Sequence, residues 1–378
     1  MNDIDLKKSI SRLKKCPWKD QPYSKQNWGI WMHSISSYVG RIKPAFAHFL
    51  IKELTKENQT VLDPFCGIGT IPLELDQLNR KFIGNDLNPY AVLISKSKFD
   101  RRGLDDEIKF LNKINLKNEP EPRLDSVPDW VKEYFHKKTL IEILQIKKIL
   151  IKNERNFLYG CLLGILHGHR PQHLSIRTGY IIPYIPNPRP KKEYREVISR
   201  MISKVTRMYK DEVSLDVRGK ILQEDSRDLS LKTSSIDAVV SSPPYYHTLD
   251  YVHSNRLRLW LSGQDDSMQE ELSANLIQQR SSYLDQMDLI GKEMRRVLKN
   301  NGLLVFILGD VHLTPKKSLN TAQDISDRYE EIGFKKIDII NDQIPASKTT
   351  IVKYGGDKSI QKKKEKLDRV LIMKNVKS

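Results

Sequence analysis

The stretch TVLDPFCGIGTIPLELDQLNRKFIGNDLN, Thr60 to Asn88, restricts the backbone more tightly than any other part of this 378-residue chain. A short β-branched run ends in Asp63-Pro64, a Gly-x-Gly turn follows, and apolar residues then recur at helical spacing before a second apolar run closes on Asp86. Strand, tight turn, helix and strand in that order open a parallel α/β sheet. In such sheets the ligand crevice lies outside the carboxyl ends of the strands, so Gly67 and Gly69 bring backbone close to whatever sits there. Read more plainly, the same glycines make only a tight βα turn. Asp86 stands 17 positions after Gly69, close to the roughly 20-residue spacing at which an acidic side chain meets a ribose diol. Asp63 lies at the turn itself, which disfavours a pyrophosphate there and favours a ligand with a cationic or amino-acid end.

The remaining pattern divides the chain into three parts. Residues 1–100 carry the glycine turn and, before it, the helical pattern KPAFAHFLIKEL. Residues 101–218 read as an insertion: KKTLIEILQIKKILIKNERNFLYGCLLGILHG predicts one or two helices, and RPQHLSIRTGYIIPYIPNPRPKKEYR is a proline-rich basic loop. Strands return over residues 219–378 as KILQED, IDAVVSS, GLLVFILGD, KKIDIIND and LDRVLIMKN, with the amphipathic helix SYLDQMDLIGKEMRRVLKNNG expected to end at its Asn-Gly. The expected fold is therefore α/β: a mostly parallel, doubly wound, Rossmann-like sheet with an antiparallel carboxy-terminal edge and a partly helical insertion.

Within the second set of strands, VVSSPPYYHTLDYV interrupts a buried run with two prolines and follows them with two tyrosines. Taken with DPFCGIGT and GNDLNPYA, this motif resembles class I S-adenosylmethionine-dependent methyltransferases of the amino-methylating kind, which modify exocyclic amines of nucleic-acid bases. The resemblance covers roughly residues 28–99 and 219–374. A serine leading the Ser-Pro-Pro-Tyr tetrapeptide, as Ser242 does here, resembles the form typical of DNA cytosine-N4 enzymes, with adenine N6, an RNA base or a non-catalytic binding module as alternatives. The resemblance implies S-adenosylmethionine as cofactor and assigns Asp63, Phe65, Gly67, Gly69 and Thr70 to the pocket around its methionine end. By the same likeness Asp86 takes the ribose hydroxyls and Asp225 the adenine amino group, although Asp225 also reads as a cap or turn residue. Lys43 and Pro44 match the family's helix over the methionine moiety, or simply begin an amphipathic core helix.

An exocyclic base amine is a weak nucleophile because its lone pair is delocalised into the ring. Acceptors held rigidly against its N–H groups turn that lone pair towards a methyl donor without a strong base. Ser242 supplies a hydroxyl, and Pro243 a carbonyl that Pro244 holds on extended backbone. Tyr245 offers a flat wall for a base flipped out of its duplex, and Tyr246 is either a second wall or core. Methylation at cytosine C5 is disfavoured, since it needs a thiolate beside proline and the chain has only the reversed pair Cys16-Pro17.

Composition bears on the substrate. The chain carries 64 Lys+Arg against 47 Asp+Glu, a formal charge of +17, the kind of surplus that marks a polyanionic partner. From Cys161 to Lys210, ten basic residues face only Glu193 and Glu196, a net +8 in 50 residues. Double-stranded DNA is the expected partner, with Arg170, Arg177, Arg189, Lys191 and Lys192 in the insertion neutralising phosphates. Arg256 and Arg258, in DYVHSNRLRLW, either grip a phosphate beside the flipped base or form the solvated face of a helix. The histidines of HGHRPQH lack acidic or cysteine partners at ligand spacing, so no metal is expected. Without an apolar run long enough to span a bilayer or a signal-peptide centre, the expected setting is a bacterial or archaeal cytoplasm. A monomer working beside a restriction endonuclease of the same specificity completes the expectation.

Overall fold

Among the described residues there are nine strands, most of them the expected apolar runs: β1 (Thr60–Asp63), β2 (Lys81–Asn85), β3 (Gly219–Leu222), β4 (Ile236–Ser241), β5 (Leu298–Gly309), β6 (Val311–Thr314), β7 (Lys317–Leu319), β8 (Phe334–Ile344) and β9 (Lys366–Asn375). They come from a computed structural model that describes residues 3–25, 28–179, 182–211, 213–244, 250–277, 282–309, 311–314, 317–344 and 366–377. Seven strands form one sheet in the order β3-β2-β1-β4-β5-β9-β8, while β6 and β7 pair as a separate ribbon. Strands β1 to β5 run parallel, and β9 is antiparallel to both β5 and β8. This is the expected doubly wound sheet with an antiparallel edge. Its order reverses between β1 and β4, and that switch point is where an open α/β sheet binds its ligand.

Side chains alternate across the sheet with the two-residue period of a strand. Val61, Ala238, Val240, Val305 and Ile307 join one core, with the helix Pro44–Leu54 and the helix Thr70–Gln77 above it. Leu62, Val239, Leu304 and Phe306 join the core on the opposite face, under the helices Tyr283–Val297 and Thr321–Glu331. The helix Tyr283–Val297 stops before its Asn-Asn-Gly. Those residues instead lie at the start of β5, where Asn301 takes a positive φ of 62° and the register with β4 shifts between Ile236 and Ala238.

Residues 101–218 include the helices Leu104–Lys113, Lys137–Lys152, Asn156–Ile165 and Val197–Met208, and the basic loop runs between the last two. These helices share a hydrophobic core with Met32 and Ile35, with Tyr90 and Ile94 of the helix Pro89–Ser97, and with Leu257 of the helix Tyr251–Leu261. The contact is close enough to demand glycine. A Cβ on Gly164 would lie 1.9 Å from the Ile35 carbonyl oxygen, and one on Gly160 would lie 2.6 Å from Ser97 Oγ. Among the described residues, no helix is long and apolar enough to cross a membrane.

Candidate active site

At the switch point the ends of β1 and β4 separate, and the motifs from the two halves of the sequence meet there. Asp63 ends β1 and Ser241 ends β4. The Ser241 hydroxyl donates to Asp63 Oδ1 at 2.6 Å, and the Phe65 N–H donates to the same oxygen at 3.3 Å. Both side chains are buried. Burial pushes the Asp63 carboxyl up to about 7, with Asp86 adding to the rise and the two donors opposing it.

The glycine turn leads from Asp63 into the helix Thr70–Gln77. Gly67 has a φ of +50° and lies under the Tyr38 ring, 3.3 Å from where its Cβ would be. Gly69 caps the helix in the left-handed conformation, φ 72° and ψ 45°. Its carbonyl accepts a 3.2 Å hydrogen bond from Lys98 Nζ, a fully buried lysine whose pKa burial drives well below the ordinary value. Asp86, just past β2, accepts from the Gly67 N–H (2.8 Å) and the Asn88 N–H (2.9 Å). Burial still raises its carboxyl to about 6. Two carboxylates held at raised pKa at neighbouring strand ends form a site that gains from a cation.

Asn85 ties the floor together. Its side-chain amide donates to the Glu224 carbonyl (3.0 Å) and Ser226 Oγ (3.0 Å), and its oxygen accepts from the Glu224 N–H (2.9 Å). Ser226 Oγ in turn donates to the Pro64 carbonyl at 2.6 Å. Asp225 is thereby placed on the wall. It also closes its own turn, accepting from the Arg227 N–H (2.9 Å) and Nε (2.8 Å). Burial raises the Asp225 pKa, but the Arg227 donors and charge outweigh it and leave the group below the ordinary range.

These residues line one cleft of about 830 Å³, counted with its open mouth, a size suited to a nucleotide-like ligand. Asp63, Phe65, Gly67, Thr70, Asp86, Asp225, Ser242 and Pro244 all face it. Among the described residues, buried Thr70 Oγ1 has no hydrogen-bond partner. The Ser242 hydroxyl points its proton along a long 3.5 Å contact to the Ile307 carbonyl, which leaves its lone pairs to the cleft. Pro243 is buried beneath. The Pro244 carbonyl accepts a hydrogen bond from the Tyr283 hydroxyl at 3.0 Å. Tyr245 and Tyr246 lie outside the described residues.

Several expectations need correction. Lys43 is exposed and Pro44 is the buried first residue of its helix, and neither faces the cleft; Arg41 and Ile42, just before them, do. The chain turns into its helix one step later than the motif suggested, because proline fits the first helical turn and the preceding residue stays extended. Gly69 lies behind the wall, against Ser95, rather than on it. Arg258 is not a phosphate grip, being only 1 % exposed. Its Nη2 donates to Ser37 Oγ (2.7 Å) and its Nε to the Leu163 carbonyl (3.3 Å). Arg256 is half-buried, with its guanidinium 3.9 Å over the Trp130 ring.

Arg170, Arg177, Arg189, Lys191 and Lys192 are all exposed on the basic loop. Arg189 pairs with Glu133 at 3.2 Å, and Lys192 Nζ donates to the Lys132 carbonyl at 2.9 Å. His167 and His173 are buried, with His167 Nδ1 3.4 Å from Thr178 Oγ1. The chief residues missed in the sequence are Tyr38 and Tyr251, whose rings stack 5.9 Å apart at the cleft. Their one sequence signal is proximity: Tyr38 precedes the first helical pattern and Tyr251 follows the proline motif.

Over residues 12–97 the chain matches the family described as DNA methylase. It is 44% identical over 64 residues to the type II methyltransferase M.HindIII of Haemophilus influenzae, covering 17% of this chain and 20% of that protein. It is also 28% identical over 85 residues to the type II methyltransferase M.MjaII of Methanocaldococcus jannaschii, covering 22% of this chain and 15% of that one. The matched part thus spans a fifth or less of these curated relatives. Among solved structures, TrmN from Thermus thermophilus aligns with a TM-score of 0.38 at 11% identity, over 91% of this chain and 52% of that one.

Proposed function

We propose that this protein is a DNA methyltransferase that moves a methyl group from S-adenosylmethionine to an exocyclic base amine, the N4 amine of cytosine. One observation carries the reading: a single cleft joins the carboxylates Asp63 and Asp86, at the ends of β1 and β2, to Ser242 and Pro244 of the proline rim at the sheet's switch point. The match of residues 12–97 to DNA methylases supports it.

The cleft suits this cofactor. Asp63 would hold the cationic amino-acid end, Asp86 the ribose hydroxyls and Asp225 the adenine amino group, while Gly67 leaves room under Tyr38. The unpartnered Thr70 hydroxyl adds a donor and acceptor. Bound S-adenosylmethionine supplies an electrophilic methyl group on a sulfonium. The chain's own part is to place the amine. Ser242 Oγ and the Pro243 carbonyl accept its N–H bonds and rotate the lone pair out of conjugation, and the rigid prolines hold both acceptors in place before the base arrives. The flipped base packs against tyrosine rings, and the exposed basic loop neutralises backbone phosphates of double-stranded DNA.

Serine at the head of the tetrapeptide favours cytosine over adenine N6. The corresponding setting is a restriction–modification system, in which methylation protects host DNA from a partner endonuclease. The test is transfer of labelled methyl from S-adenosylmethionine to diverse DNA duplexes, followed by hydrolysis and identification of the base. N4-methylcytosine is expected. N6-methyladenine would overturn the choice of base, and DNA binding without any label would show a non-catalytic binding module.

A further inference from the structure

Ser241 immediately precedes the Ser-Pro-Pro-Tyr tetrapeptide and has no role in it so far. Backbone pairing between β1 and β4 runs through Val61↔Ala238 and Leu62↔Val239. Beyond it the strands part to form the cleft, and there the 2.6 Å Ser241–Asp63 bond spans the opening. Its ends differ in kind. Asp63 faces the cofactor side of the cleft, while Ser241 is bonded by its backbone to Ser242, the proposed amine acceptor. Ser241 is fully buried and Asp63 is 1 % exposed, so water does not compete for the bond.

We propose that Ser241 is a positioning residue that couples cofactor capture to the catalytic rim, its hydroxyl orienting the Asp63 carboxylate towards a cationic ligand and fixing the end of β4 that carries Ser242. The proposal rests on the reading of Asp63 as the site of the cofactor's cationic end. A hydrogen bond to a carboxylate strengthens when the carboxylate is charged. Ionising Asp63 therefore tightens the tie to β4, and a cation arriving at Asp63 does the same. The other titratable groups facing Asp63 are Asp86, past the end of β2, and Cys66 on the glycine turn. Neither donates to it through a side chain, so the Ser241 hydroxyl is the adjustable contact.

The test is calorimetric binding of S-adenosylmethionine to the full chain at pH 5.5–7.5, together with methyl-transfer rates, for wild type, Ser241→Ala, Ser241→Cys and Ser241→Thr. Wild-type affinity should rise with pH as Asp63 ionises. Ser241→Ala should weaken binding at pH 7.5 by about tenfold, the scale of a lost hydrogen bond to a charged group, and move the midpoint of the pH profile upward, because a carboxylate that loses a donor holds its proton longer. Ser241→Cys keeps the size of the side chain but donates weakly, so it should shift the midpoint the same way. Ser241→Thr keeps the hydroxyl and should restore both quantities. An unchanged midpoint in the Ala and Cys variants, even with slower turnover, would overturn the coupling while leaving the cofactor assignment intact. Absence of binding by the wild-type protein would overturn the cofactor assignment and the coupling with it.

Discussion

Replacing Gly69 by alanine separates two reasons for glycine in the cofactor turn. At φ 72° and ψ 45° a side chain costs about 1–2 kcal/mol in backbone strain. An added Cβ would also lie 2.2 Å from Ser95 Oγ, 3.0 Å from Ser95 Cβ and 3.2 Å from Ser95 Cα. Ser95 is fully buried on the helix Pro89–Ser97, and its Cβ and Cα stay close whatever its hydroxyl does. Overpacking of this kind costs about 1–3 kcal/mol, so Gly69→Ala should lose about 2–5 kcal/mol in all. Gly67→Ala is the control, since it shares a positive φ of +50° but meets nothing nearer than Tyr38 Cε1 at 3.3 Å. It should cost only the strain, about 1–2 kcal/mol. Because Gly67 lines the cleft and Gly69 does not, the two variants should also cross over in function: Gly67→Ala loses cofactor affinity and Gly69→Ala loses stability. Chemical denaturation of both, and of Gly69→Ala with Ser95→Ala, gives the answer. The double variant should regain part of the loss, because removing Oγ still leaves Ser95 Cβ at 3.0 Å. Equal losses for Gly67→Ala and Gly69→Ala, or no recovery in the double variant, would refute the steric account.

Three further outcomes follow from the site. Asp63 has a folded pKa of about 7 against an ordinary 3.8, so the folded state holds the extra proton. Its contribution to stability is present below the unfolded value and lost as pH rises towards 7, while a cationic cofactor binds better over the same rise. The thermal stabilisation by saturating S-adenosylmethionine should therefore be larger at pH 7.5 than at pH 5.5 and lose most of its pH dependence in Asp63→Asn, the remainder coming from Asp86 at about 6; equal stabilisation at both pH values in the wild type would count against the assignment. Ser242→Ala should slow methyl transfer by about tenfold or more with cofactor affinity nearly unchanged, and a parallel loss of affinity in titration would remove Ser242 from the amine site. Arg258→Met should cost about 2 kcal/mol or more in denaturant, because it strips buried groups of their donor. It should leave the salt dependence of DNA binding unchanged, whereas Lys191→Ala with Lys192→Ala should reduce that slope; the opposite pattern would return Arg258 to the DNA surface.

The sequence was most legible where structure is local. Asp63-Pro64, the glycine turn and Asp86 follow from turn chemistry and strand period over fewer than thirty residues, and the tertiary structure keeps all of them. The same holds for the five later strands, whose apolar runs alternate between two cores as the period requires. The misreadings were local in another sense. Arg256 and Arg258 look alike on paper, two basic residues two positions apart in one short apolar-basic run. Which of them meets solvent depends on where the helix Tyr251–Leu261 lands, and it lands against the insertion and the segment carrying Ser37. Lys43 and Pro44 missed by two residues because a helix boundary is set by capping and packing together.

By itself, then, the sequence determined the element order, the antiparallel edge and two chemical motifs, since strand period, helix spacing and the glycine and proline turns are written in neighbouring residues. Only the tertiary structure decided that Ser241 would meet Asp63, 178 positions earlier in the chain, that Tyr38 would stack on Tyr251, and that Arg258 would be buried. Those contacts join segments far apart in sequence, and they exist because the sheet reverses its order between β1 and β4 and leaves the two strand ends facing one cleft.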